Sequence, residues 1–264
     1  MKKVLALILV CIMALMAAGC STATGKYESI LKKGKIEVST ASDFPPFEFP
    51  GADGVQGVDI EIAKAIAAEL GVDVVINESN FDSILMDIKS GKGDIAISGF
   101  TITDERKASV DFSDPYIDSV QYLILPEGSD IVVLEDLAGK KIGVALGYTG
   151  QFLIEDELAE GGALEGTNKD NMKIYNSARE AALDLKAGRI DAVVMDEYVA
   201  KNIASKDSGI EAKELRYENG EIASEEYGVM VAKGNEDLLL IINKVIKNLI
   251  GLGKIREWVI QYSE

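Results

Sequence analysis

The sequence predicts an α/β protein of two lobes joined by a hinge, and three observations predict it. From residue 35 onward, strand-like and helix-like patterns alternate in the order β-α-β-α-β, which argues for a parallel or mixed sheet covered by helices. The segments MDIKSGKGDIAIS (86–98) and LDLKAGRIDAVVM (183–195) match in pattern at a constant offset of 97 residues. Each is a helix end, a glycine stop, a basic residue, then an aspartate and an apolar strand. Two unrelated helix–strand units would also match in this way, but two lobes of related architecture account for the fixed order. Finally, roughly 245 residues remain once an N-terminal leader is set aside, enough for one large domain or two small lobes.

The elements follow in chain order. Lys35 to Thr40 reads as a first strand. Gly57 to Leu70 reads as a helix, with Ile62, Ala63, Ile66, Ala67 and Leu70 on one face and Gly71 ending it. Val72 to Ile76 is strand-like. Asn80 can cap a helix whose apolar face is Phe81, Ile84, Leu85 and Ile88, stopped by Gly91. Asp94 to Ser98 is the next strand. Ser177-Ala178-Arg179-Glu180 has the form of a capping box and opens a helix ended by Gly188. Asp191 to Met195 follows as a strand. Leu238, Ile241, Ile242, Val245, Ile246 and Leu249 form an apolar helical stripe, and Ile255, Trp258, Val259 and Tyr262 form another after Gly251 and Gly253.

The N-terminus reads as an export signal. Met1-Lys2-Lys3 is basic, Val4 to Ala18 is an apolar run of 15 residues, and small residues lead into Cys20. The ending Ala17-Ala18-Gly19-Cys20 resembles a bacterial lipobox, with alanine where leucine is usual three places before the cysteine. Residues 1–19 are therefore expected to be a signal peptide, Cys20 the lipid attachment site, and residues 20–34 a tether. More than one acyl chain would give stable anchoring. Ordinary secretion with nearby cleavage is the alternative. Cys11 leaves with the signal, so the mature chain has one cysteine and no internal disulfide.

Composition narrows the function. Without Lys2 and Lys3 the chain carries 25 basic against 44 acidic residues, a poor match for nucleic acid, which calls for clustered Lys and Arg. It has no histidine, which removes the commonest general base and the commonest metal ligand. No catalytic residue, cofactor or metal is expected.

A two-lobed sheet protein of this kind places ligands outside the carboxyl ends of its strands. That sets Ser98–Arg106 of one lobe against Asp196 of the other. A free amino acid would need a planar guanidinium for its carboxylate, an acid and a few acceptors for its ammonium, and a pocket for its side chain. Arg106 lies in the first turn of a helix capped by Thr103, where a cation is disfavoured and an anion is welcome. A solvated arginine paired with Asp104 or Glu105 explains the residue equally well on local grounds.

Four blocks, SDFPPFEF (42–49), GVDIEIAKAIAAELG (57–71), FDSILMDIKSGKGDIAISGFTITDERKASVDFSDPY (81–116) and AGRIDAVVMDE (187–197), resemble the extracellular solute-binding proteins of family 3. The likeness covers essentially the whole mature chain, departing at Val58, where a larger side chain is usual. It implies a type II periplasmic-binding-protein-like fold and an amino-acid receptor of an ABC importer, its ATPase on a separate subunit. The implied boundaries are 35–117 with 227–264 for lobe 1, 122–222 for lobe 2, and 118–121 with 223–226 for the hinge. The implied roles are Arg106 on the ligand α-carboxylate, with Thr101 and Thr149 as donors from the two lobes. Asp196 takes the α-ammonium with help from Ser98, Gly99 lines the site, and Phe44 and Phe81 sandwich the ligand side chain.

Asp94 and Asp191 read as structural, bonding local backbone. Asp111 and Asp114 read as hinge architecture, and Pro45-Pro46 as the turn that aims Phe44. Many relatives carry an acid where Ala41 stands, and small residues where Tyr148 stands; Tyr148 either narrows the pocket or offers a phenol, and Glu197 is the candidate for the missing charge. The ligand is thus a polar or cationic L-amino acid, bound by hinge closure in an extracytoplasmic, membrane-anchored monomer. The alternatives are an enzyme on the same fold, a cyclic amino-acid dehydratase, and a ligand sensor for a signalling partner.

Overall fold

The computed structural model describes residues 25–263; the readings of residues 1–19 as a signal and of Cys20 as a lipid-bearing residue lie outside them. The first element is a helix, α1 (Lys26–Lys33), within the stretch read as a tether. Ile30 is completely buried, and Lys26 and Lys33 both pair with Asp94. Ile30, the half-buried Tyr27 and two lysines facing an acid dock this segment, so the tether reading does not hold for residues 26–33.

Lobe 1 is built on β1 (Lys35–Thr40), whose Ile36 and Val38 are fully buried. A small hairpin of β2 (Phe49–Gly51) and β3 (Gly54–Gln56) leads into α2 (Val58–Leu70). Next come β4 (Asp73–Glu78), α3 (Phe81–Ser90) and β5 (Ile95–Ala96). Both β4 and β5 run parallel to β1, as the β-α-β-α-β pattern requires. The short α4 (Asp104–Lys107) and β6 (Val110–Phe112) complete the first pass through this lobe.

A ten-residue strand, β7 (Ile117–Pro126), carries the chain into lobe 2. There β8 (Ile142–Ala145), α5 (Thr149–Glu157), β9 (Met172–Tyr175), α6 (Ala178–Lys186), β10 (Ala192–Asp196), α7 (Glu197–Lys206) and β11 (Ile210–Glu214) follow. The return strand β12 (Ser224–Tyr227) lies antiparallel on the start of β7, with Ser224 opposite Val120 and Tyr227 opposite Ile117. β13 (Met230–Ala232), α8 (Glu236–Gly251) and α9 (Lys254–Ser263) then finish lobe 1. The sheet orders are β4-β1-β5-β13-β6 and β11-β7-β10-β8-β9.

The central strands of the lobe 2 sheet are buried on both faces. Leu123, Leu125, Ile142, Val144, Ala192 and Val194 join Ile154 of α5 in one core, while Ile124, Val193 and Met195 face the other way. That alternation is the period-two arrangement of a strand covered on both sides.

The repeated aspartates do the same task in each lobe. The Asp94 carboxylate accepts the Glu37 N–H at 2.8 Å, and that of Asp191 accepts the Lys141 N–H at 2.7 Å. Both tie the start of a strand to its parallel neighbour, so the backbone they hold belongs to the adjoining strand rather than to their own segment. Burial works to raise the Asp94 carboxyl, but the Glu37 N–H and the two lysines outweigh it and hold it below its ordinary value. At residue 177 only half of a capping box forms. Ser177 accepts from Glu180 N–H, while the Glu180 carboxylate takes the Asn176 N–H instead of that of Ser177.

The hinge reading of Asp111 is corrected. Its carboxylate accepts from Lys233 Nζ at 2.8 Å and Gly234 N at 2.9 Å, fastening the turn after β13. Asp114 donates its backbone N–H to Asn243 of α8, within lobe 1.

Candidate functional site

The site lies between the lobes, around the ends of β5 and β10. Beyond β5 the chain turns at Gly99, where φ is +56° and an added Cβ would stand 2.4 Å from the Phe44 ring. Only glycine fits both conditions. The Gly99 N–H is held by the Asp59 carboxylate at 2.7 Å, which fixes the loop that delivers Thr101 and Arg106.

Thr103 caps α4 by accepting the Arg106 N–H at 3.2 Å. The Arg106 guanidinium then spans the lobes, donating to the Thr101 carbonyl at 2.9 Å and to the Gly147 carbonyl of lobe 2 at 3.0 Å. It lies 5.6 Å from the Phe81 centroid and 5.2 Å from that of Phe100. These two rings stack at 4.4 Å, so a point nearly equidistant from both sits beside the pair rather than over a face. Among the described residues, no carboxylate oxygen lies within 4 Å of the Arg106 nitrogens. The expected alternative, pairing with Asp104 or Glu105, is not made; Asp104 meets Lys107 at 3.8 Å.

Opposite stands Asp196, the last residue of β10 and only 1% exposed. Its carboxylate accepts from Gln121 Nε2 at 2.8 Å and from the Tyr227 hydroxyl at 2.5 Å. Gln121 also reaches Thr149 Oγ1 at 3.3 Å, and that oxygen lies 3.5 Å from Thr101 Oγ1 across the lobes. Burial raises the Asp196 carboxyl, opposed by the Tyr227 and Gln121 bonds. Glu225 beside it is pushed well above the carboxylate range, first by burial and then by the Asp196 charge.

The aromatic part of the site holds a column of rings. Phe100 stacks on Phe81 at 4.4 Å, Phe81 on Tyr148 at 3.9 Å, and Tyr148 on Phe44 at 5.4 Å, with interplanar angles of 17°, 11° and 19°. Tyr148, from lobe 2, thus lies between the two phenylalanines of lobe 1 and is 4% exposed. Its hydroxyl donates to Asp43 Oδ1 at 3.2 Å. Asp43 lies at the edge of a cavity of about 600 Å³ between the lobes, whose other acids are Asp82 of α3 and Glu180 of α6.

Phe44, Phe81, Gly99, Thr101, Arg106, Tyr148, Thr149 and Asp196 are therefore brought to one place. Ser98 is not: its hydroxyl donates to Glu48 at 2.5 Å and accepts the Ala41 N–H at 3.0 Å, turned into lobe 1. Glu197 is also excluded as the missing charge, because its carboxylate pairs with Lys201 one turn along α7. The acid two residues beyond Ala41, Asp43, is the one at the aromatic pocket.

Sequence reasoning missed Gln121, Glu225 and Tyr227. A polar Gln121 within the apolar run of β7 was the available signal, and Glu225 sits opposite Ser119 in the paired crossing strands. Among the described residues, no group of three or more Asp, Glu, His or Cys side chains is placed to hold a metal ion, and no helix is long and apolar enough to cross a membrane.

Residues 36–264 match the family model of bacterial extracellular solute-binding proteins, family 3. The L-cystine-binding protein TcyJ of Escherichia coli (strain K12) is 32% identical over 241 residues, covering 89% of this chain and 86% of that protein. The arginine-binding extracellular protein ArtP of Bacillus subtilis (strain 168) is 28% identical over 258 residues, covering 97% and 96%. Among solved structures, an amino acid ABC transporter substrate-binding protein from Streptococcus pneumoniae bound to L-arginine superposes with a TM-score of 0.80. It is 32% identical and covers 90% of this chain and 98% of that one.

Proposed function

The chain belongs to the bacterial extracellular solute-binding proteins of family 3, and on that premise we propose that it captures a polar or cationic L-amino acid and delivers it to an ABC importer. Arg106 carries this reading: a guanidinium held between the lobes with its fork on two backbone carbonyls and no carboxylate partner among the described residues. A ligand α-carboxylate would take its place between that fork, Thr101 and Thr149. Asp196, whose carboxylate already accepts from Gln121 and Tyr227, would receive the α-ammonium. The side chain would enter between Phe44 and Phe81.

In this mechanism β7 and β12, the paired strands that join the lobes, act as the hinge. Ligand contacts that require both lobes favour the closed arrangement and exclude water from the charges. The ammonium and carboxylate then meet opposite charges in a poorly solvated space, where electrostatic attraction is stronger than in water. Relatives with named ligands bind amino acids, so an importer subunit is favoured over an enzyme. Export, lipidation at Cys20 and a monomeric state complete the proposal.

Thermal-shift measurements with the L-amino acids test it directly, since any ligand that binds only the folded state raises the melting temperature. Truncating one partner of a buried charge pair costs about 2–5 kcal/mol. Arg106→Ala should therefore weaken the responding amino acid by roughly 30-fold to several thousand-fold in titration calorimetry. Unchanged affinity in that variant would rule out the carboxylate clamp.

A further inference from the structure

Resting on the amino-acid-binding reading, we propose that Tyr148 is a built-in occupant of the side-chain pocket, which a ligand must expel. The side chain fitted to replace it is a planar cation of the guanidinium class, which would inherit Asp43.

Tyr148 has both attributes that such a side chain needs. Its flat ring lies between Phe81 and Phe44, at 3.9 Å and 5.4 Å and within 19° of parallel to each. Its tip offers one donor, and that donor is spent on Asp43. The residues proposed for the α-carboxylate adjoin Tyr148: Thr149 is the next residue, and Arg106 holds the Gly147 carbonyl just before it. Gly147 permits this entry. Its φ is +79°, and an added Cβ there would meet Asp82 of α3 at 3.4 Å, so the lobe 2 loop passes directly over α3 and drops the tyrosine beside Phe81.

A ligand side chain longer than a methyl group cannot share the space between the rings with a phenol. Binding therefore needs the fraction of molecules in which Tyr148 has swung out, and the apparent affinity falls by that fraction for every long side chain. The threshold is uniform; selectivity comes from what the departing phenol leaves behind. Asp43 loses its donor, and it faces the cavity shared with Asp82 and Glu180. An aliphatic side chain restores the stacking surface but no donor, and a carboxylate meets three acids. A guanidinium restores both: it is planar, stacks on aromatic faces and carries five N–H donors with a positive charge.

Titration calorimetry with L-arginine and L-glutamine tests the proposal on three variants. Tyr148→Ala should bind L-arginine about tenfold more tightly than the unaltered protein, the gain expected when a pocket occupied about nine-tenths of the time becomes free. Tyr148→Phe keeps the stack and loses only the bond to Asp43, so it should tighten binding by a few-fold. It decides the matter if the alanine variant fails to fold, as judged by circular dichroism. Asp43→Asn should weaken L-arginine about tenfold more than L-glutamine. Weaker or unchanged L-arginine binding in the Tyr148 variants overturns the occupant. An equal effect of Asp43→Asn on both ligands overturns the guanidinium assignment. If L-arginine binds and Arg106→Ala abolishes it while the Tyr148 variants gain nothing, this inference alone fails. If no L-amino acid binds the protein or any variant, the amino-acid-binding reading fails with it.

Discussion

Gly99 shows how much one residue decides in this cleft. Its Cβ-less, left-handed backbone lets the Phe44 ring pack against the chain, with 2.4 Å separating that ring from where a methyl would stand. Gly99→Ala should therefore push Phe44 out of its column and destabilise the fold by about 1–3 kcal/mol, the usual cost of overpacking a core. Urea denaturation measures it, and an unchanged midpoint would mean that the ring has room to move. Local sequence made several residue roles legible. Thr103 three places before Arg106 is a cap that needs no tertiary knowledge, and the cap forms as read. Ser98 was not legible, because the acceptor of its hydroxyl, Glu48, lies 50 residues away with β2 through β5 in between.

Single elements show a second limit. The helix α1 sits in a stretch whose neighbours are small and polar, and only Ile30 of its eight residues is buried. Tyr27, Ile30 and Leu31 do stand at helical spacing, but in eight residues that stripe is a single turn long, far shorter than those that announce α2, α3 and α8. The docking rests on Ile30 and on Lys26 and Lys33 at Asp94, the same aspartate that opens β5. Ile30→Ala should cost about 2–4 kcal/mol in chemical denaturation, as large-to-small changes at fully buried sites do. A cost near zero would show the helix to be dispensable to lobe 1. The stripe of α8, the glycine after α2 and the aspartate before β10 were legible because that evidence lies within one turn or one strand, whereas the ten-residue β7 and α7 were not read.

At the scale of the molecule, two buried acid clusters underlie the cleft, one in lobe 1 and one where β7, β10 and β12 meet. In the first, burial raises Asp59 to about 6, and Glu48 beside it is raised well above the carboxylate range by burial and by the Asp59 charge. A native carboxyl that holds its proton above the pH at which the unfolded chain releases it stabilises the fold at low pH. That contribution is complete below about pH 4 and is lost as pH rises through 6. Asp59→Asn keeps an acceptor for the Gly99 N–H and removes the titration. Relative to this variant, the unaltered protein should lose on the order of 3 kcal/mol between pH 4 and 7, because each tenfold difference in proton affinity between the folded and unfolded chain is worth about 1.4 kcal/mol. Melting curves of the two proteins across that range measure it, and parallel curves would contradict a raised Asp59.

By itself the sequence determined the alternation of strands and helices, the two lobes, and the caps and stops, and it pointed to most of the residues that the structure gathers between the lobes. Periodicity, capping and glycine stops are written over a few neighbouring positions, and the matched blocks are contiguous. Only the tertiary structure decided that Ser98 faces inward, that Gln121 and Tyr227 hold Asp196, and that Tyr148 lies between Phe44 and Phe81. Those contacts join residues tens of positions apart or on opposite lobes. Their partners are chosen by how the two sheets pack against each other, a distance that no local pattern encodes.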